Sequence, residues 1–375
     1  MKNNDVIGLL NFYTAPSLGE ITENRPLGST SFLGRYAFCD FALSNFCNSG
    51  ISNMGLMIKD HQRSVLKHLG SMSAWVSNTK VGRMNIMVNE KGVLNPLSNT
   101  DVANIRENDW QLYDTKASYL VFQSTHIIAN VDLRPILQEH IDRGEKITVV
   151  YTKIKDASKE FFSSNLFRID EEGYLTSLKK NDRQEEEALA SMEIWIINRE
   201  VLVDIIRKNA VWNERADMKT MLADVLYSGT VKIHTYEWKG DYVRCFDSFD
   251  HYVEYCNELL NPEIYRALFN KKQEHFTLTQ DTPPALYGED AKVSNSFVAN
   301  GAVVEGNVEN CVLSRKVKIG EGSSVKNCII FSSVKIGANC HIENAVIDKY
   351  SIITDGKTFS GDPMKYLFLK QGTIL

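Results

Sequence analysis

The chain has 375 residues, 43% of them hydrophobic and 24% charged, with a formal net charge of −5. This is globular composition with room for two or three domains, and the acidic balance argues against a nucleic-acid or membrane partner held by bulk charge. Seven cysteines (Cys39, Cys47, Cys245, Cys256, Cys311, Cys328, Cys340) are scattered and form no CxxC pair. A structural zinc is therefore not expected, and a reducing cytoplasm fits best.

The N-terminus has no basic-then-apolar signal pattern. Val6–Leu10 is too short to span a bilayer and reads as a buried strand. Further apolar runs at Ile51–Ile58, Tyr119–Phe122 and Ile147–Tyr151 alternate with helical patterns at Phe41–Asn48, His61–Leu69 and Leu133–Arg143. Strands at Glu193–Ile197 and Lys232–Trp238 follow, with helices at Glu200–Lys208, Met218–Tyr227 and Phe249–Leu260. Such alternation predicts an α/β domain over 1–260, its mostly parallel sheet joined by crossover helices. Residues 261–287, with Pro262, Pro283 and Pro284 among polar residues, read as a linker.

From 288 to 375 the sequence repeats every 17 residues. Val308, Val325 and Ile342 form one column; Leu313, Ile330 and Ile347 another; Ala302, Ile319, Ile336 and Ile353 a third. Asn310, Asn327 and Asn344 recur in N-C-V, N-C-I and N-A-V, and K-I-G recurs at Lys318 and Lys335. Each unit can bury its apolar side only against its neighbours, which predicts a parallel β-helix with about three faces per coil. Cys311 and Cys328 share a column with Ala345 and read as small core residues rather than a disulfide. The closing stretch Tyr366-Leu367-Phe368-Leu369 is expected to cover the open solenoid edge or to make a subunit contact.

The most specific run is Phe32 to Ile51, FLGRYAFCDFALSNFCNSGI. By physics alone it is a loop, a helix and a turn before a buried strand. It resembles the F-G-G-x-x-R-x-x-D-F-x-L-S-N-x-x-N-S-G-I signature of ADP-glucose pyrophosphorylases (glucose-1-phosphate adenylyltransferases). The similarity continues through His61–Leu69 and through Leu189-Ala190-Ser191-Met192. The resemblance implies a nucleotidyltransferase domain followed by a left-handed β-helix, the order read from the patterns.

Nucleotidyl transfer needs backbone N–H groups in a glycine turn, cations around the reacting phosphorus and carboxylates for magnesium. The family carries these in A-G-G-R-G-T-R-L-x-x-L-T, R-A-K-P and S-G-D-H-I. Here Asn11–Thr22 reads NFYTAPSLGEIT. Phe12, Tyr13 and Ala15 stand for glycines, Thr14 and Ser17 for arginines, and Leu27 for the lysine. Each lost charge-assisted donor is worth about 10²–10³ in rate. Thr125 takes the place of the magnesium aspartate, while Asp132 reads as a helix N-cap. Tyr242 aligns with the second aspartate, leaving open whether neighbouring Asp241 replaces it. Lys180 keeps the sugar-phosphate lysine and Ser191 the serine of L-A-S-M, but Glu193 replaces the following glycine.

The resemblance is to the GlgD-type, non-catalytic branch of that family. It implies a regulatory subunit of glycogen biosynthesis that binds no cofactor itself and joins a catalytic pyrophosphorylase subunit, as a cytoplasmic heterotetramer; magnesium and ATP belong to the partner. Arg25 and Arg63 match positions near which the family binds phosphorylated effectors, although plain surface charge is the simpler reading. The alternatives are an active or weakly active adenylyltransferase, and a module that binds nucleotide, sugar phosphate or effector without turnover. Glu185-Glu186-Glu187 reads as a solvated face. His61 and His68 read as surface residues, and no histidine sits at metal spacing beside a carboxylate.

Overall fold

Val6–Asn11 is apolar almost throughout and buried at every position, the pattern of a strand covered on both faces. The structure, a computed structural model, describes residues 5–76, 80, 82–113, 115–212, 215–271 and 273–375. Nine described strands make one sheet: Val6–Asn11 (β1), Asn53–Ile58 (β2), Arg83–Val88 (β3), Tyr119–Ser124 (β4), Ile147–Ile154 (β5), Asn165–Ile169 (β6), Leu175–Lys180 (β7), Ala188–Asn198 (β8) and Ile233–Glu237 (β9). From β4 through β1 and β2 to β3 all pairings are parallel. The long β8 then runs antiparallel to β4, β5 and β6, β7 folds back on β6, and β9 lies parallel to β5. The register of β8 against β5 slips between Ser191 and Trp195. Glu193 lies in that bulge with φ of 50°.

Helices cover both faces. Phe38–Asn48 (α1) begins before the expected Phe41, because Asp40 at its third position accepts the Ala37 N–H at 2.9 Å. Its first nine residues are all buried, so it is a core helix rather than a surface one. Gln62–Leu69 (α2), Asp101–Glu107 (α3), Leu133–Asp142 (α4), Arg199–Trp212 (α5), Met218–Ser228 (α6) and Phe249–Glu258 (α7) follow. Asp132 caps α4 as the sequence reading has it, accepting from the Arg134 N–H. The strand β3, the β6–β7 hairpin and α3 had no counterpart in the sequence reading.

Residues 261–287 are not a free linker. Asn261 caps a helix, Pro262–Leu268 (α8), with proline at its first position, where its missing N–H costs nothing. Leu268 is fully buried, Phe269 stacks on Tyr265 with centroids 4.5 Å apart, and the Phe276 N–H donates to Ser44 Oγ. Apolar side chains among the polar ones strap the segment to the domain.

The C-terminal region is a three-sided parallel β-helix. One column holds Leu286–Tyr287, Val303–Val304, Lys318–Ile319, Lys335–Ile336 and Ile352–Ile353. The two other faces stack Val308 on Val325 and Ile342, and Leu313 on Ile330 and Ile347. Ala302 does not belong to the Ile319 column. Val304 occupies that place, because its coil is spaced 15 residues from the next (Val304 to Ile319) rather than 17. Asn310, Asn327 and Asn344 turn corners with φ of 50–53°, and their amides form a ladder: Asn295 donates to Asn310, Asn310 to Asn327, Asn327 to Asn344. All seven cysteines are free, and Cys311 and Cys328 lie in the solenoid core. Leu367–Leu369 forms the next coil on Ala345–Ile347. That coil also faces the first domain, with Phe368 edge-on to Phe249 and Asn257 donating to Tyr366 Oη. No described helix is long and apolar enough to cross a membrane.

Candidate functional site

The loop after β1 lies where the parallel strands β1, β2 and β4 end, the usual ligand crevice of such sheets. Side chains fill it. Asn11 donates to the buried Asp101 carboxylate at 2.8 Å and accepts the Tyr13 N–H, so the chain leaves β1 locked to α3. Asp101 also takes the N–H groups of Val102 and Met218, and burial pushes its carboxyl up to about 6. The Tyr13 hydroxyl donates to Asn99 and accepts from Asn104. Phe12 is buried against both Gly28 and Thr125: a methyl added at Gly28 would lie 2.3 Å from Phe12 Cε1 and 3.1 Å from Thr125 Cγ2. One ring thus occupies the meeting point of the loop, the Leu27 segment and the end of β4. Ser17 turns inward on its own loop, bonding Thr22 and the Gly19 N–H. Leu27 is core.

Behind Phe12 sits a buried polar centre. His126, Thr125 and Glu193 are each under 5% exposed, and among the described residues the Thr125 hydroxyl and both His126 nitrogens have no hydrogen-bond partner. Glu193 forms an ion pair with Lys219 of α6, and His126 Nε2 lies 3.8 Å from its Oε1. Burial alone would raise the Glu193 carboxyl, yet Lys219 and His126 hold it below its ordinary value. Burial would lower Lys219, yet Glu193 holds it up; burial lowers His126 against the pull of Glu193. The Ser191 hydroxyl accepts the Glu193 N–H at 3.1 Å, so the expected substrate remnant is spent within the chain. Left-handed backbone at a glutamate costs about 1–2 kcal/mol, which this network must offset.

Other expected positions fall elsewhere. Tyr242 is turned into the aromatic core, donating to Glu258, and Asp241 is exposed. The ladder of Val243–Cys245 on Ile127–Ala129 sets Cys245 opposite Ile127, and the Phe246 N–H bonds His126 O. Cys245 and Asp247 are therefore the residues carried beside Thr125 and His126. Asp247 is locked to His251 at 2.6 Å, and burial pushes the Cys245 thiol up. Lys180 is exposed at the end of β7. Its neighbour Asn181 clamps three carbonyls, those of Ala157, Glu160 and Phe161. Glu186 and Glu187 are exposed as expected, while Glu185 is partly covered and pairs with Arg168 and Lys179.

Arg25 is not surface charge. It is 2% exposed and grips Asp348 of the β-helix bidentately at 2.8 and 2.5 Å, with Gln371 as a third acceptor. Arg63 is exposed, on the wall of a cleft of roughly 740 Å³ shared with His61, Lys67 and Lys349. A second cavity of about 370 Å³ shares Lys67 and Lys349 with it and adds Arg35, Arg315 and Lys316. Burial, with Arg25 nearby, brings Lys349 down to about 8. His68, expected at the surface, is 2.6 Å from the buried Asp40, with Cys39 beside it. This is the single grouping of three metal-type donors among the described residues. Asp40 there already caps α1, so the trio reads as a tie between α1 and α2.

Residues 17–238 match the nucleotidyl transferase family, and residues 284–365 match the GlmU-like C-terminal hexapeptide family. Over its full length the chain is 30% identical to the glycogen biosynthesis protein GlgD of Bacillus subtilis, covering 98% of that protein. The chain belongs to the GlgD branch of the glucose-1-phosphate adenylyltransferase family. Geobacillus stearothermophilus GlgD is 27% identical across 86% of the chain and 83% of its own length. The glucose-1-phosphate adenylyltransferase of B. subtilis is 26% identical across 87% and 85%. Together the two domain matches make the C-terminal solenoid a hexapeptide-repeat β-helix, consistent with the left-handed form. The magnesium that the family implies does not suit the residues here. Thr125 is neutral, Asp247 is committed to His251, the Cys245 thiol is held protonated, and the Lys219 ammonium stands in the same centre.

Proposed function

We propose that the chain is a non-catalytic regulatory subunit of glucose-1-phosphate adenylyltransferase in glycogen biosynthesis. The observation that carries this reading is the filled centre: Phe12 and Tyr13 occupy the phosphate turn, and the Glu193–Lys219 pair occupies the pocket behind it. Neither a triphosphate nor a divalent cation has a place there. The fold around the centre is kept, which is what pairing with a catalytic homologue requires. B. subtilis has both a GlgD and an adenylyltransferase similar to this chain, which supports the pairing of two such chains. In this reading the partner supplies magnesium and ATP chemistry in a cytoplasmic heterotetramer. The cationic cleft of Arg63, Lys67 and Lys349 takes a phosphorylated effector, and Arg25 keeps the cleft's two walls together. Effector binding across two domains biases the partner's conformation through the shared interface.

The test is an assay of ADP-glucose formation with this chain, its catalytic homologue, and a mixture whose mass is measured. A silent chain that forms a mixed tetramer and changes the partner's turnover or effector response is the expected result. Turnover by this chain alone at the partner's rate refutes the reading. Arg63→Ala with Lys67→Ala is expected to abolish the effector response of the mixture while leaving assembly intact.

A further inference from the structure

The buried centre around Glu193 has the composition of an anion pocket. Lys219 brings a largely buried ammonium, anchored by a second bond to Ser163 O. Thr14 and Thr125 bring hydroxyls, and His126 brings a ring with neither nitrogen bonded. Lys219 pairs with the Glu193 carboxylate, and His126 Nε2 lies 3.8 Å from it. The side chain reaches that position only because β8 bulges there and the residue takes a left-handed conformation that glutamate rarely adopts. Asp247 is turned to His251 and Ser163, the Cys245 thiol bonds Ser163 and Ser164, and Asp217 accepts the Thr220 N–H. The direct ion pair of Lys219 is with Glu193.

We propose that Glu193 is an internal substitute for a phosphate group, holding shut a binding pocket that the rest of the centre is still built to form. A glutamate side chain and an orthophosphate contain the same number of heavy atoms, so removing one leaves room for the other. Removal also leaves the Lys219 charge without its partner in a poorly solvated site, which draws in an anion. Glycine at 193 frees the backbone strain in the same step. The pocket is specific for a compact tetrahedral oxyanion rather than for a nucleotide base, because Phe12 and Tyr13 still block the turn in front of it.

Inorganic phosphate is the probe, titrated calorimetrically into the full-length chain carrying Arg63→Ala and Lys67→Ala, which weaken the cationic cleft. In this background Glu193→Gly is expected to gain one equivalent of phosphate, with a dissociation constant of about 1 mM or tighter. The unaltered Glu193 should bind at least about tenfold more weakly, and adding Lys219→Met to Glu193→Gly should remove the new equivalent. Equal phosphate stoichiometry with and without Glu193, or a gain that survives Lys219→Met, overturns the proposal. Glu193→Ala, which keeps only the Cβ of the side chain and so still vacates most of the pocket, carries the same comparison if the glycine variant does not fold. If both unfold in phosphate-free buffer, refolding on dialysis into phosphate supports the pocket, and failure to refold counts against it. The idea builds on the silent-centre reading, but binding rather than turnover is measured. Activity in the wild-type chain would sink the regulatory role without deciding the phosphate result.

Discussion

Replacing Arg25 by methionine removes a guanidinium that joins two regions 323 residues apart in sequence and lies over the Phe331 ring, while keeping an unbranched apolar stem. Both partners of the Arg25–Asp348 pair are 3% exposed or less, so neither has water to fall back on. Removing one member of such a pair costs about 3–5 kcal/mol. The structure ranks the two halves. After Arg25→Met, Asp348 still receives the Lys349 N–H at 2.6 Å, which places the loss near 3 kcal/mol. After Asp348→Asn, the guanidinium keeps full strength only with Gln371 at 3.2 Å, which places the loss nearer 5 kcal/mol. The double replacement Arg25→Met with Asp348→Asn should lose less than the sum, by about 2 kcal/mol or more. Urea unfolding, followed through the buried Trp75 and Trp195, measures all three. Singles within about 1 kcal/mol of wild type, or a double that equals their sum, would refute the claim that this pair fixes the domains together.

Tyr13→Gly should cost about 3–5 kcal/mol in the same assay, because it empties a packed site and strips Asn99 and Asn104 of a partner. Restoring Phe12→Gly, Tyr13→Gly, Ser17→Arg and Thr125→Asp together should yield no ADP-glucose while Glu193 still holds Lys219; robust turnover would contradict the closed centre. Asn327→Ala should lower stability by about 2 kcal/mol, from ladder bonds and left-handed strain, and Asn327→Gly by clearly less; the reverse order in thermal melts would show the corner conformation to be unimportant. His275 lies between Phe41 and Phe269, and burial lowers it to about 4. Its folded value is below its unfolded one, so its stabilisation is present above about pH 6.5 and drains away as pH falls toward 4. Over that window wild type should lose roughly 2 kcal/mol more than His275→Phe, after allowance for partial exposure. Parallel pH curves for the two proteins would exclude the effect.

What sequence carried well was periodic and local. Short apolar runs and the 17-residue period located six sheet strands and most of the β-helix columns, since a covered strand or a stacked coil leaves its pattern in contiguous residues. Asp132 was legible as a cap because its acceptor bond spans two residues. The coil of Val303 and Val304 misled, since its shorter spacing to Ile319 put Ala302 where Val304 belongs, and a fixed period cannot reveal a shortened turn. Arg25 looked exposed because its partner lies far away in the solenoid. Pro262 looked like a breaker because a helix start and a linker both begin with Asn-Pro. Glu193 stood out only as a replaced glycine; its ion pair with Lys219, and the Arg35, Lys67, Arg315 and Lys349 of the cleft, are brought together by tertiary folding. Tyr242 was misaligned by neighbouring loop residues, which the pairing of Cys245 with Ile127 corrects.

The closing coil has a consequence for how this molecule is made. Synthesis runs from the N-terminus, yet Phe249, Asn257, Glu20 and Glu23 wait for Phe368, Tyr366 and Lys370, which leave the ribosome well after them. Until then the aromatic flank of the first domain stays open to solvent, and Arg25 has no counter-ion. The chain therefore matures as one unit rather than domain by domain. A truncated product would carry an exposed apolar face and a stranded cation, marks that set it apart from a finished chain for proteases and chaperones.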